Sequence, residues 1–134
     1  MKTIKNLMFL DLTNQWVTHT AARFTYSLHP TWSPSNRNLH STSRKSTSIY
    51  HTIACGAAHF NADRSRFTHS TSACRYGCTC DETVNHALLD CPHTRTLRIP
   101  IIEKCDRLNI EFSIKNMLTE PRLRHLTERY LLQY

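Results

Sequence analysis

"CRYGCTCDETVNHALLDCP", residues Cys74 to Pro92, holds four of the chain's six cysteines and a histidine within nineteen residues. A structural zinc site takes four thiolate or imidazole donors in a tetrahedron, and Zn–S bonds of about 2.3 Å set neighbouring sulfurs about 3.7 Å apart. Such donors come as two close pairs. Cys74-x3-Cys78 and His86-x4-Cys91 have loop lengths that allow this, and the seven residues "TCDETVN" between them let the chain turn before a helix begins, with Asp81 as its N-cap. On an unbroken α-helix Cys91 would lie about 140° around the axis from His86 and about 7.5 Å along it. Pro92 is the remedy. A residue before proline is disfavoured in the α region, so the helix should stop at Asp90 or Cys91 and free the thiolate to approach His86. Cys80 is the rival of Cys78, but a C-x-C pair is tighter than the two-to-four-residue spacing that such sites use.

The competing reading is a disulfide framework, for which six cysteines permit fifteen pairings. The N-terminal "MKTIKNLMFLDLTNQW" bears on it, because Asp11 interrupts the apolar run at Leu7 to Leu10 short of a signal-peptide core. No stretch approaches the roughly 18 apolar residues of a membrane span. The expectation is an intracellular protein, in nucleus or cytoplasm, where thiols stay reduced and clustered cysteines bind metal. Cys55 and Cys105 stand alone in apolar helical patterns and read as small buried hydrophobes.

The chain's 134 residues suit one modest domain, and its formal charge of +7 favours polyanionic partners. Residues 1–73 carry eight Lys/Arg against two acids, 74–94 one against three, and 95–134 eight against five, so the excess lies mainly before the cysteines. Arg64, Arg66, Arg75, Arg95 and Arg98 flank the cysteine module and are the candidate phosphate contacts. Polymerase and RNase H chemistry needs clustered carboxylates around two metals about 3.5–4 Å apart. Residues 1–73 offer only Asp11 and Asp63, while Asp81, Glu82 and Asp90 read as capping or solvated groups. No enzyme is expected.

Periodicity outlines a mainly α fold: a small helical domain stapled by a Cys3His zinc-knuckle-like site, preceded by an N-terminal helix and loop. Leu12, Trp16, Phe24 and Leu28 predict a helix capped near Asp11 and ended by Pro30. Residues 30–48 are polar, broken by two prolines, and read as a loop carrying Arg37, Arg44 and Lys45. Ile49, Ile53, Ala57 and Phe60 then share a helical face, with Gly56 as an interruption or an end. Pro100 should open a helix carrying Ile101, Ile102, Cys105 and Leu108. Ser113 is a candidate N-cap, and Pro121 precedes a final helix with Leu123, Leu126, Tyr130 and Leu131 on one face. The division is residues 1–47, helix and basic loop, and 48–134, a helical domain containing the module 74–92.

Cys74, Cys78, Glu82, Thr83, His86, Cys91 and Pro92 together resemble the cysteine-histidine module at the C-terminal end of reverse-transcriptase polyproteins of non-LTR (LINE-like) retrotransposons. That family's pattern is C-x2-3-C, a Glu-Thr pair, then H-x4-C-P. The similarity runs from about Trp16 to Leu132, with "ACGAAHFNADRSRF" and "FSIKNMLTEPRLRHLTERYLL" as weaker flanks. Cys80 is an addition to the pattern, and "IACGAAHF" replaces a commoner Thr-Gly-His-Gly run. The resemblance implies a non-catalytic tail, detached from polymerase and RNase H domains, that grips element RNA or target DNA. The alternatives are a protein-interaction module using the C-terminal helices, or a vestigial element product.

Overall fold

A computed structural model of the chain describes residues 2–18, 23–28, 30, 43–55 and 59–134. Arg37, most of the Ser/Thr-rich stretch, and the Gly56–Ala57 step lie outside the described residues. Residues 2–18 contain neither proline nor glycine, and they wind into one helix, α1 (Lys2–Thr18). Asp11 therefore sits inside α1 rather than capping a helix, its Oδ2 accepting from Gln15 Nε2 at 2.9 Å. A separate short helix, α2 (Arg23–Leu28), ends before Pro30 as predicted. Trp16 and Tyr26 approach ring to ring at 6.2 Å, but Ile4, Leu7, Met8, Phe9, Leu10, Leu12 and Val17 of α1 are exposed.

The next helix, α3 (Arg44–Ala54), begins earlier than its apolar pattern predicts because Ser43 caps it, accepting from the Ser46 N–H. Arg44 and Lys45 thus belong to a helix and not to the preceding loop, and α3 runs across the boundary expected between residues 47 and 48. After a short turn of helix, α4 (Asn61–Arg64), the chain enters the cysteine module. It leaves through a π-helical turn (His86–Asp90) and a 3₁₀ turn (Pro92–Thr94) that runs on into α5 (Arg95–Leu108). Pro92 is thus the start signal, and Pro100, expected to open the helix, lies within α5 and forgoes the bond to the Thr96 carbonyl. Asn109, at φ 53°, ends α5 in the left-handed conformation, while the Ile110 N–H bonds back to the Cys105 carbonyl at 3.1 Å.

Ser113 caps α6 (Ile114–Thr119) as predicted, accepting from the Asn116 N–H at 3.2 Å. Pro121 leads through a turn into α7 (Arg124–Gln133). Packing explains why these elements hold together: α7 lies against α3, α5 and α6, and α2 against α3 and α6. Leu28, Tyr50, Ile53, Phe60, Leu88, Ile101, Met117, Leu118, Leu123, Tyr130 and Leu131 form one core across them. Leu28 draws α2 into this core. The face of α7 that the sequence offers to a protein partner is filled by the chain's own core, with Leu123, Tyr130 and Leu131 at most 4% exposed. No helix among the described residues is long and apolar enough to cross a membrane.

Candidate metal centre

The module begins with a tight turn. The Gly77 N–H donates to the Cys74 carbonyl at 3.0 Å, and Gly77 takes φ 82°, which returns Cys78 to the side of Cys74. The loop is closed at its neck by Cys74 N–H to Cys80 carbonyl (3.1 Å), Glu82 N–H to Ser72 carbonyl (2.9 Å) and a single antiparallel bridge between Ala73 and Asp81. A Cβ on Gly77 would meet nothing within 4 Å, so the left-handed backbone alone sets the cost of replacing it. Gly77→Ala is expected to lose about 1–2 kcal/mol in urea denaturation, with Gly77→Asn losing less.

Thr83, not Asp81, caps the helical turn that follows. Its Oγ1 accepts from the His86 N–H at 3.1 Å, whereas the Asp81 carboxylate is held by the Ser72 hydroxyl at 2.6 Å. The His86–Cys91 problem is then solved in two ways at once. Pro92 does stop the helix at Asp90, Cys91 having ψ 118°. Before that, the turn widens: the Cys91 N–H donates to the His86 carbonyl at 2.7 Å, an i→i+5 bond that brings the fifth residue back over the first.

These turns gather the four predicted donors. One ligand atom each from Cys74, Cys78, His86 and Cys91 lies within 4.8 Å of every other, and the cluster could hold a metal ion. The Cys78 and Cys91 sulfurs are 3.9 Å apart, close to the tetrahedral edge of about 3.7 Å for thiolates on zinc. Cys74 and Cys91 are buried and His86 is 9% exposed. Burial and the neighbouring Cys74 and Cys91 sulfurs push the Cys78 thiol up to about 12. Burial opposes ionisation of Cys91 too, but the His93 N–H, with the Cys78, Cys74 and Thr94 side chains, holds its thiol below the ordinary value. One thiolate is thus favoured and further ones resisted, a conflict that a bound dication relieves by offsetting two of the three negative charges.

Cys80 lies outside this cluster, exposed, with its sulfur 3.2 Å from His86 Nδ1 and 3.8 Å from Nε2. Such similar distances put the sulfur alongside the ring; beyond either nitrogen's lone pair it would stand much farther from the other nitrogen. Cys105 is buried as expected. Cys55 is exposed instead, at the C-cap of α3, where the helix ends and its apolar face no longer reaches the core.

Glu82 is the residue whose role the sequence hides. Read as a capping or solvated group, it is fully buried, and its carboxylate accepts from Arg75 Nε (2.6 Å), Arg75 Nη2 (2.9 Å), the Asn61 N–H (2.8 Å) and the Tyr134 hydroxyl (3.0 Å). The Arg75 guanidinium also lies over the Tyr134 ring at 4.8 Å, and the Tyr76 hydroxyl donates to the Tyr134 carbonyl at 2.7 Å. The metal module and the end of α7 are thereby locked together. In adjacent residues, Glu82 makes this lock and Thr83 the cap.

The five candidate phosphate contacts divide accordingly. Arg64, Arg66 and Arg95 are exposed, Arg66 carrying only a 3.9 Å approach to Asp63 with its side chain 71% accessible. Arg75 is engaged by Glu82, and Arg98 is 5% exposed with Nη1 donating to Thr94 Oγ1 at 3.0 Å. Charge shows in the sequence, whereas these partners do not: Arg98 is buried, and Arg75, although exposed, has its guanidinium committed to Glu82. Comparison of the chain with protein-family models, curated proteins and solved structures finds no match.

Proposed function

We propose that this chain is a non-catalytic zinc-binding module that binds RNA or DNA through exposed cations beside the metal centre, in the manner of the retrotransposon tail that it resembles. The observation that carries this reading is the cluster of three thiols and one imidazole. Soft sulfur donors with a histidine at tetrahedral spacing suit zinc, and four protein ligands leave no open position for substrate, which makes the metal structural. The formal charge of +7 and the exposed Arg64, Arg66 and Arg95 support a polyanionic partner, with element RNA or target DNA as the specific form. The engagement of Glu82 by Arg75 supports a role in folding for that carboxylate and not in two-metal catalysis.

The test is a salt titration with a labelled single-stranded oligonucleotide. Log affinity should fall linearly with log salt, and replacing Arg64, Arg66 and Arg95 together by Gln should flatten the slope by about two, at roughly 0.7–0.9 per phosphate contact. Absence of binding at low salt overturns the nucleic-acid reading.

One observation favours a second reading, a protein-interaction module: the exposed apolar side chains of α1, from Ile4 to Val17. The surface concerned is then α1 and not the C-terminal helices. Concentration-dependent association that Leu7→Gln and Leu10→Gln abolish, without oligonucleotide binding, would favour it.

A further inference from the structure

A buried guanidinium needs a counter-charge, because its desolvation costs several kcal/mol and neutral hydroxyls do not replace a carboxylate partner. Arg98 is such a group: 5% exposed, it forms no ion pair with a carboxylate among the described residues. The four ion pairs found there are Arg66–Asp63, Arg75–Glu82, Arg122–Glu120 and Arg124–Glu128. The contacts of Arg98 lead to the metal centre instead. Its Nη1 donates to Thr94 Oγ1 at 3.0 Å, and the Thr94 hydroxyl in turn donates to the Cys91 carbonyl at 3.3 Å and neighbours the Cys91 thiol. The Tyr130 hydroxyl, bonded to the Ala87 carbonyl, closes the group at 3.0 Å from Thr94 Oγ1 and is itself a hydrogen-bond partner of the Arg98 side chain. Arg98 therefore stands one hydroxyl away from a metal-ligand residue, on the helix that begins four residues beyond it.

The charge count on the ligands supplies what is missing. A dication held by three thiolates and a neutral imidazole has a net charge of −1, whereas the same donors with three protonated thiols are neutral. From the placement of Arg98 we infer that it is the counter-ion of the loaded centre, a positioning residue that raises metal affinity by balancing the buried negative charge through Thr94. This rests on the metal reading above. Outer partners of metal ligands carry about 10–100-fold in affinity, and a buried charge opposite the centre belongs among them. It also gives a reason for an arginine in α5 where an apolar side chain would pack without needing a partner. The net charge of the centre, and not merely its presence, is what Arg98 reads.

The experiment measures Zn²⁺ and Co²⁺ affinity by competition with a chromophoric chelator at fixed pH and salt, for wild type, Arg98→Met and Arg98→Lys. It repeats the set in a Cys78→His background, where two thiolates and two imidazoles make the loaded centre neutral. Arg98→Met should weaken binding about 10–100-fold in the Cys3His protein and Arg98→Lys should recover most of it, while in the Cys78→His background Arg98→Met should have little effect. Equal losses in both backgrounds, or a loss that Lys does not recover, would assign Arg98 to packing alone and overturn the inference. Unchanged affinity in Arg98→Met also overturns it. Wild type that takes up neither ion defeats the metal reading itself. If Arg98→Met does not fold, Arg98→Gln takes its place in the same cycle.

Discussion

Cys74→Ser, Cys78→Ser, His86→Ala and Cys91→Ser should each purify without the single zinc per chain expected of wild type, and Cys80→Ser should keep it. The four ligand atoms lie within 4.8 Å of one another, while the Cys80 sulfur is beside the His86 ring and outside the cluster. Structural zinc is worth about 10–16 kcal/mol of apparent binding free energy at neutral pH, which matches or exceeds the whole stability of an ordinary domain. Losing a ligand should therefore do more than empty the site. The loop 74–81 is held only by its neck and a few hydrogen bonds, whereas Ala87 and Leu88 are anchored in the core, so circular dichroism and proteolysis should show that loop opening in the four ligand variants and in chelated wild type. Elemental analysis of purified protein decides the ligand set. Full zinc in Cys78→Ser together with loss in Cys80→Ser would exchange the two residues' roles.

Glu82→Ala is expected to cost about 2–4 kcal/mol, as much as truncating a buried core side chain. Breaking a buried ion pair from one side costs about 3–5 kcal/mol, and the lower value applies because the Arg75 side chain is 34% exposed and can turn toward water. The Asn61 N–H and Tyr134 hydroxyl lose their acceptor as well. Glu82→Gln keeps an acceptor but not the charge and should lose less. The same lock has a pH signature. Burial by itself raises the Glu82 carboxyl, but hydrogen bonds from Arg75, Asn61 and Tyr134 outweigh it and hold the group below the ordinary carboxylate value. A group depressed in the folded state adds stability above its unfolded value that is lost as pH falls through the folded one. The stability difference between wild type and Glu82→Gln, measured by urea denaturation, should thus be full near neutrality and shrink from about pH 4.5 downward. A difference that does not change with pH would mean that the ionised carboxylate contributes nothing.

The sequence discloses most where the physics is local. Ligand spacing is a matter of short loops, so Cys74, Cys78, His86 and Cys91 could be named from it and are found together. Ser113 caps its helix because a hydroxyl meets an N–H three residues on, and the apolar face of α7 follows from periodicity. What stays hidden depends on partners far along the chain. Glu82 and Tyr134 are 52 residues apart, Tyr130 and Ala87 are 43, and no local pattern announces either contact. The burial of Arg98 likewise depends on the packing of α5 against α7 and does not show in its sequence neighbours. Competing local signals account for the other differences. Asp81 and Thr83 are both capping types two residues apart, and the Ser72 hydroxyl decides between them by taking up Asp81. Pro92 and Pro100 both suit a first turn, and the earlier one starts the winding that carries the later one inside α5.

The wide turn at His86 makes ligand spacing a question of hydrogen-bond register. In an ordinary α-helix the N–H that reaches the His86 carbonyl would belong to the fourth residue on, and here it belongs to the fifth, Cys91. Cys91 thus occupies the station that a His-x3-Cys pair would reach by α winding, with one extra residue carried in the bulge. Two spacings that differ as text describe one geometry. A chain shortened by one residue at the partly exposed Leu89 could relax to α winding and still bring its cysteine to the same place. The loss of one residue between these two ligands can therefore be absorbed by the backbone, a change of length that a fixed spacing rule would count as loss of the site.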